Sequence, residues 1–225
     1  MPIEEVTGSR SPDEIERELR GLLASYRATL DGDRRLLAAR YRYVHAAHKV
    51  VGVGSVGAQA WIILMLGRDS DDPLFLQAKE AQRSVLAPHA GRSRYAHQGR
   101  RVVEGQRLMQ ATGDVFLGWV TSEARGDRPR DFYVRQLWDR KWSADVELMG
   151  PSQLAPYARL CGWTLARAHA RSGDRIAIAS YLGKGTAFDE AVADFAESYA
   201  DQNQRDYDAL VEDVRAGDLV VREGV

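Results

Sequence analysis

The sequence predicts an α+β fold in which a five-stranded antiparallel sheet with one helix is preceded and followed by helical segments. Three observations predict it: apolar residues recur at helical spacing near both ends, β-branched and aromatic runs separated by turn residues fill the middle, and one helical pattern lies between those runs. These changes of periodicity divide the chain into a helical segment, residues 1–46, a sheet-bearing segment, residues 47–141, and a second helical segment, residues 142–225.

The composition is that of a globular protein able to bury a core. Of its 225 residues 44% are apolar and 28% charged, and the formal net charge is −1, which is not typical of nucleic-acid or membrane-surface binding. The single cysteine permits no internal disulfide, residues 1–5 do not begin a signal peptide, and the longest strongly apolar run, residues 60–66, is too short to span a membrane. We therefore expect a cytoplasmic protein with neither a nucleic-acid nor a membrane partner.

The first helical segment opens with a helix-start pattern. Ser11 precedes Pro12 and Glu14, the residue types and spacing of a capping box. Helical spacing continues until residues 31–33, and a second helix is predicted over residues 34–45.

The middle of the chain alternates strand and turn patterns. The predicted strands lie around Lys49 and over residues 58–66, 74–79, 115–120 and 132–138, and a helix is predicted over residues 99–111. Beyond Gly150 two long helices are predicted, one ending near Gly173 and the other running from Thr186 to Gly217.

The first motif with chemical meaning is Gly52-x-Gly54-x-x-Gly57, with Ser55 inside it. Glycines let backbone N–H groups approach phosphate oxygens because no Cβ intervenes. A dinucleotide-binding Rossmann turn would open a helix, whereas a protein-kinase loop joins two antiparallel strands. Residues 58–66 have no polar face, which favours a strand and therefore a kinase-like loop, with a Rossmann-type protein as the less favoured alternative.

Lys79 and Glu104 are the second motif. A lysine at the end of the strand that follows the glycine loop is where a kinase-like fold holds the nucleotide phosphates, and a helical glutamate such as Glu104 orients it. Glu80 competes for that role by proximity, and strand-end lysines are also common without any function.

The last predicted strand supplies a hinge. In a two-lobed kinase-like fold, adenine would hydrogen-bond to the backbone near Gln136, Leu137 and Trp138. The charge pattern agrees with a phosphate-bearing ligand, since residues 83–141 hold twelve Arg/Lys and six Asp/Glu while residues 189–223 hold three Arg and eleven Asp/Glu. Two solvated faces that attract each other would give the same pattern.

Several longer motifs resemble those of a known family, the bacterial domain-of-unknown-function family 2252. The motifs that carry the resemblance are residues 49–57, 72–81, 105–110, 133–137, 165–174 and 199–202. The resemblance implies a remote, circularly permuted relative of protein kinases and aminoglycoside phosphotransferases with no established substrate.

The sequence also departs from that family. The family's longer members carry a G-D-x-H-x-x-N stretch and an aspartate-rich metal-binding segment in an N-terminal half, and neither motif occurs in this sequence. Trp142 also replaces the family's glycine after Lys141. The resemblance therefore implies the C-terminal, nucleotide-gripping half of the family's fold.

The resulting expectation is a nucleotide-binding half of a phosphotransferase whose substrate is unknown. ATP with Mg²⁺ is the expected ligand, no catalytic or metal-binding residue is predicted in this chain, and transfer would require the missing catalytic half, from a separate chain or from a longer protein. The alternative is a non-catalytic, kinase-like binding or regulatory module.

Overall fold

The computed structural model describes residues 11–49, 58–122, 128–137 and 143–221. The chain divides into two compact units, Met1–Ser172 and Gly173–Val225. The first unit contains the sheet, and the second contains the last two helices.

In chain order, runs of helices and runs of strands follow one another, which agrees with the predicted α+β class. They are α1 Pro12–Ala28, α2 Gly32–Ala39, β1 Arg42–His48, β2 Ala60–Leu66, β3 Pro73–Glu80, α3 Ala87–Ala90, α4 Gln98–Met109, β4 Gly118–Ser122, β5 Arg130–Gln136, a 3₁₀ turn Val146–Leu148, α5 Pro151–Ser172, α6 Arg175–Leu182 and α7 Ala187–Ala216.

The five strands form one sheet in the order β1-β2-β3-β5-β4, and every neighbouring pair is antiparallel. Lys79 on β3 lies opposite Ala60 on β2 and opposite Tyr133 on β5, and Tyr133 in turn lies opposite Trp119 on β4. Directly opposed residues share a face of the sheet, so Lys79, Tyr133 and Trp119 lie on one face.

The other face forms the core together with α1. Leu74, Leu76 and Ala78 of β3 cluster there with Tyr26 of α1 and with other apolar residues of the sheet and of α1. The predicted capping box begins α1: Ser11 Oγ accepts the N–H of Glu14, and the Glu14 carboxylate accepts the N–H of Ser11, both at 3.3 Å. A side chain on Gly118 would collide with α1, since its Cβ would lie 2.8 Å from the Tyr26 ring.

The predicted second helix is wrong beyond Ala39. Residues 42–48 form β1, which pairs with β2 from Arg42 opposite Leu66 to His48 opposite Trp61. The apolar residues used to extend the helix also fit a strand, and hydrogen bonding to β2 decides in favour of the strand. The first strand therefore ends at His48, whereas the sequence predicted a strand around Lys49.

Both long helices predicted beyond Gly150 are present, and the first of them, α5, ends at Ser172, next to the predicted stop at Gly173. Helix α7 runs from Ala187 to Ala216 and ends at Gly217, whose φ of 84° is the left-handed conformation that glycine tolerates, as predicted. Helix α6 was not predicted, although Asp174 caps it by accepting the N–H groups of Ile176 and Ala177.

The second unit also carries exposed aromatic side chains. Phe195 and Tyr199 of α7 are 64% and 57% exposed, and their rings stack with centroids 5.6 Å apart.

Among the described residues, no helix combines the length and the apolar character needed to cross a membrane.

Candidate functional site

The glycine-rich segment connects two paired antiparallel strands. Gly52, Gly54, Ser55 and Gly57 lie outside the described residues, but both flanking strands are described. The Lys49 N–H donates to the Ala60 carbonyl at 2.8 Å, which closes the base of the segment. The next described helix or strand after the segment is therefore a strand, antiparallel to the one before it.

Lys79 lies at the end of the sheet from which the glycine-rich segment emerges. It is the penultimate residue of β3 and faces Ala60, the first residue of β2 after that segment. Its side chain is half-buried, beside the Tyr133 position of β5. Strand pairing thus places Lys79 opposite the first β2 residue, which follows the predicted phosphate-binding segment in the chain.

Helix α4 lies on the same face of the sheet as Lys79. The Arg100 and Arg107 guanidinium carbons of α4 lie 5.4 and 5.9 Å from the Trp119 ring centroid, and Trp119 shares its face with Lys79. Glu104 is held between the two arginines, with Oε1 3.9 Å from Arg100 Nε and 3.8 Å from Arg107 Nη1. The predicted pairing of Glu104 with Lys79 stays a prediction.

Glu80, the competing carboxylate, has partners of its own. Its Oε2 accepts the Gln59 N–H at 3.0 Å and lies 3.4 Å from Nη1 of Arg130. These contacts tie the end of β3 to the residue before β2 and to the start of β5.

Two backbone N–H groups of the predicted hinge donate hydrogen bonds within the fold. The Gln136 N–H donates to Asp114 Oδ2 at 2.6 Å, and the Leu137 N–H donates to the Phe75 carbonyl at 2.8 Å. Trp138 lies outside the described residues. Backbone donors for a purine ring would therefore have to follow Leu137.

A polar cluster at the start of α4 escaped the sequence analysis. His97 caps the helix because its Nδ1 accepts the Arg100 N–H at 3.2 Å, and its Nε2 lies 3.4 Å from Asp131 Oδ1. Asp131 also accepts the Gln98 N–H at 2.6 Å and the Thr121 hydroxyl at 2.9 Å. Partial burial lowers the pKa of His97, although the Asp131 carboxylate acts in the opposite direction. Histidine is not one of the residue types preferred at helix N-caps, so no local sequence signal marks this cluster.

Within the described residues, no group of three or more His, Cys, Asp or Glu side chains could hold a metal ion.

A family model described as "Uncharacterized protein conserved in bacteria (DUF2252)" matches residues 4–213. The chain belongs to this family. No curated protein and no solved structure matches this DUF2252 member.

Proposed function

We propose that the chain is the nucleotide phosphate-binding part of a kinase-like phosphotransferase whose substrate is unknown. One observation carries the proposal: a glycine-rich segment joins antiparallel β1 and β2, and Lys79 on the next strand lies in register with the start of β2. Protein kinases place a glycine-rich loop over the nucleotide phosphates and a lysine on the third strand beside them. Helix α4, which lies between β3 and β4, completes the same order of elements.

In the proposed complex, backbone N–H groups of residues 52–57 would cover the phosphates of ATP and the Lys79 ammonium would neutralise part of their charge. Mg²⁺ bound with ATP would neutralise more of that charge. Glu104 would orient Lys79 only after leaving Arg100 and Arg107, and contacts of 3.8–3.9 Å to partly exposed arginines are weak enough to exchange.

Phosphoryl transfer also needs a base and carboxylates that hold metal ions around the reacting phosphate. We propose that the catalytic half of the fold, in a separate chain or in a longer protein, supplies them. In the rival hypothesis, a regulatory module, the same site would bind ATP without turnover. The antiparallel strand after the glycine-rich segment argues against the Rossmann-type alternative, which requires a helix there.

The test is calorimetric titration of Mg²⁺-ATP into the purified chain, the Lys79→Met variant and the matched Lys184→Met variant. Lys184 is an exposed residue of the second unit, so its substitution removes the same charge away from the proposed site. We expect Lys79→Met to weaken ATP binding by about tenfold or more, because a charge-assisted phosphate contact contributes on the order of 1.5–3 kcal/mol, and Lys184→Met to leave binding unchanged.

Equal ATP affinity of the wild type and Lys79→Met would refute the proposed site. A Gly54→Val variant provides a second, independent test, because a side chain at that position would block the approach of backbone N–H groups to phosphate.

A further inference from the structure

The segment from the end of β3 into the first half of α4 is strongly basic, and none of its residues is predicted to contact the nucleotide. Residues 81–103 contain five arginines and two histidines but no Asp or Glu. This segment therefore concentrates positive charge at one place on the first unit.

Three of these arginines line a single surface pocket of about 440 Å³. Arg83 follows the end of β3, Arg92 lies in the loop after α3, and Arg101 lies in the first turn of α4. Among the described residues that line the pocket there is no carboxylate, and Ser84 and Ser93 add hydroxyl groups. The pocket is thus lined by positively charged hydrogen-bond donors from three separate parts of the segment.

Hydrogen bonds hold several of these groups in place. Arg101 donates from Nε to Gln98 Oε1 and from Nη2 to the Gln82 carbonyl, both at 2.9 Å. The hydroxyl oxygens of Ser84 and Ser93 accept the N–H groups of Leu86 and Tyr95, at 3.2 and 3.1 Å. Because each hydroxyl oxygen acts as an acceptor there, its own hydrogen is oriented away from that N–H and can donate to a ligand.

Phosphate oxygens suit these donors better than other common anions do. Arginine presents parallel N–H groups that match a phosphate bidentately, and serine hydroxyls add single bonds to the remaining oxygens. Three guanidinium groups in a pocket whose described lining residues include no carboxylate suit a group carrying two negative charges. The volume leaves room for a small group attached to the phosphate.

We propose that this pocket binds the phosphate or pyrophosphate group of a small phosphorylated ligand, at a site separate from Lys79. The inference goes beyond the proposed function and does not depend on it. It adds a second anion site on the first unit, formed by residues between the end of β3 and the first turn of α4.

The test is calorimetric titration of pyrophosphate into the full chain and three variants. The Arg83→Gln/Arg92→Gln double variant removes two pocket charges but leaves Arg101 and its hydrogen bonds intact. The matched Arg159→Gln/Arg175→Gln variant removes two exposed charges from α5 and α6, and Lys79→Met removes the lysine of the proposed nucleotide site.

We expect the pocket double variant to weaken pyrophosphate binding at least about tenfold, and the other two variants to bind as the wild type does. Circular dichroism of each variant establishes that it folds. In a second arm, chemical shifts of backbone amides in residues 81–101 should change on addition of pyrophosphate and not on addition of sodium chloride at equal ionic strength.

Three results would overturn the inference. The first is absence of pyrophosphate binding to the wild type up to about 10 mM, a level that detects even weak complexes. The second is loss of binding in Lys79→Met alone, which would locate pyrophosphate at the nucleotide site and would support the proposed function instead. The third is an equal loss in the Arg159→Gln/Arg175→Gln variant, which would show non-specific attraction.

Nucleic acid is the competing macromolecular ligand. If a single-stranded oligonucleotide bound much more tightly than pyrophosphate and lost affinity in the pocket double variant, the arginines would form part of a backbone-tracking surface and the small-ligand site would be refuted.

Discussion

Removing one buried hydroxyl should measurably destabilise the first unit. Tyr26 of α1 is 2% exposed, and its hydroxyl donates to the Phe116 carbonyl at 2.6 Å. Burial raises the pKa of this hydroxyl well above its usual range, so the group stays protonated and remains a donor at every ordinary pH. The bond joins α1 to the residues just before β4, 90 positions away in the chain. Tyr26→Phe deletes this bond and keeps the ring.

The expected cost follows from what each partner loses. A net intramolecular hydrogen bond contributes about 1 kcal/mol, and a buried carbonyl left without a partner adds a penalty, for a total of about 1–3 kcal/mol. No large cavity term is added because only one oxygen atom is removed. For a unit of this size, each kcal/mol should lower the melting temperature by about 2–4 °C.

The assay is urea unfolding followed by tryptophan fluorescence and circular dichroism, with Tyr41→Phe as the matched control. The Tyr41 hydroxyl lies 3.3 Å from Asp72 Oδ1 in a half-buried position, so its loss should cost less than about 0.5 kcal/mol. Equal destabilisation by the two substitutions, with unchanged m-values, would refute the reasoning that burial of the Tyr26 bond determines its contribution.

Three further changes test other contacts. Partial burial lowers the pKa of His97 below its usual 6.5, so the unfolded chain binds a proton more readily than the folded chain does. The free energy of unfolding should therefore fall as the pH drops below about 6.5. His97→Asn retains a helix cap and should remove this pH-dependent component, as measured by urea titrations at several pH values. Gly99→Ala would bring a Cβ against the Phe132 carbonyl and should cost about 1–3 kcal/mol by thermal unfolding. Asp114→Ala removes the acceptor of the Phe116 and Gln136 N–H groups and should cost about 2 kcal/mol or more by the same measurement.

Each of these expectations has a clear contrary result. The same pH dependence in His97→Asn and wild type would show that His97 does not contribute to it. Gly105→Ala, on the same helix with open space around its Cβ, is the control for Gly99→Ala, and equal stability of these two variants would contradict the close approach to β5. Asp114→Asn retains one acceptor oxygen and should fall between Asp114→Ala and the wild type, whereas equal stability of Asp114→Ala and the wild type would contradict the contribution of the two hydrogen bonds.

Local signals in the sequence were sufficient for many of the helices and strands. The capping box at Ser11, the strand ending near Lys79 and the glycine at position 217 each rest on neighbouring residues, and all three are confirmed. The boundary at Ala39 was predicted wrongly because β1 depends on pairing with β2, which a local pattern cannot report.

In the candidate site, too, local patterns could be predicted and contacts between distant segments could not. The glycine motif and Lys79 were found because their spacing carries the signal, whereas the cluster of His97, Asp131 and Thr121 joins residues from α4, β5 and β4. The basic pocket was visible only as composition, since the sequence gives the arginines but not which of them meet. Contacts between distant segments depend on the sheet order, and that order had to come from the structure.

The sheet order has a consequence for how the first unit folds. Hairpin connections form β1-β2-β3 and β4-β5, but the seam between β3 and β5 joins residues about 50 positions apart, as in the pair of Glu80 and Arg130. Closing that long loop is the slow entropic step, so the two hairpin blocks should form early and their union should limit the folding rate. Gln77 and Arg135, which hydrogen-bond across this seam, are the positions where substitution should slow refolding rather than only speed unfolding.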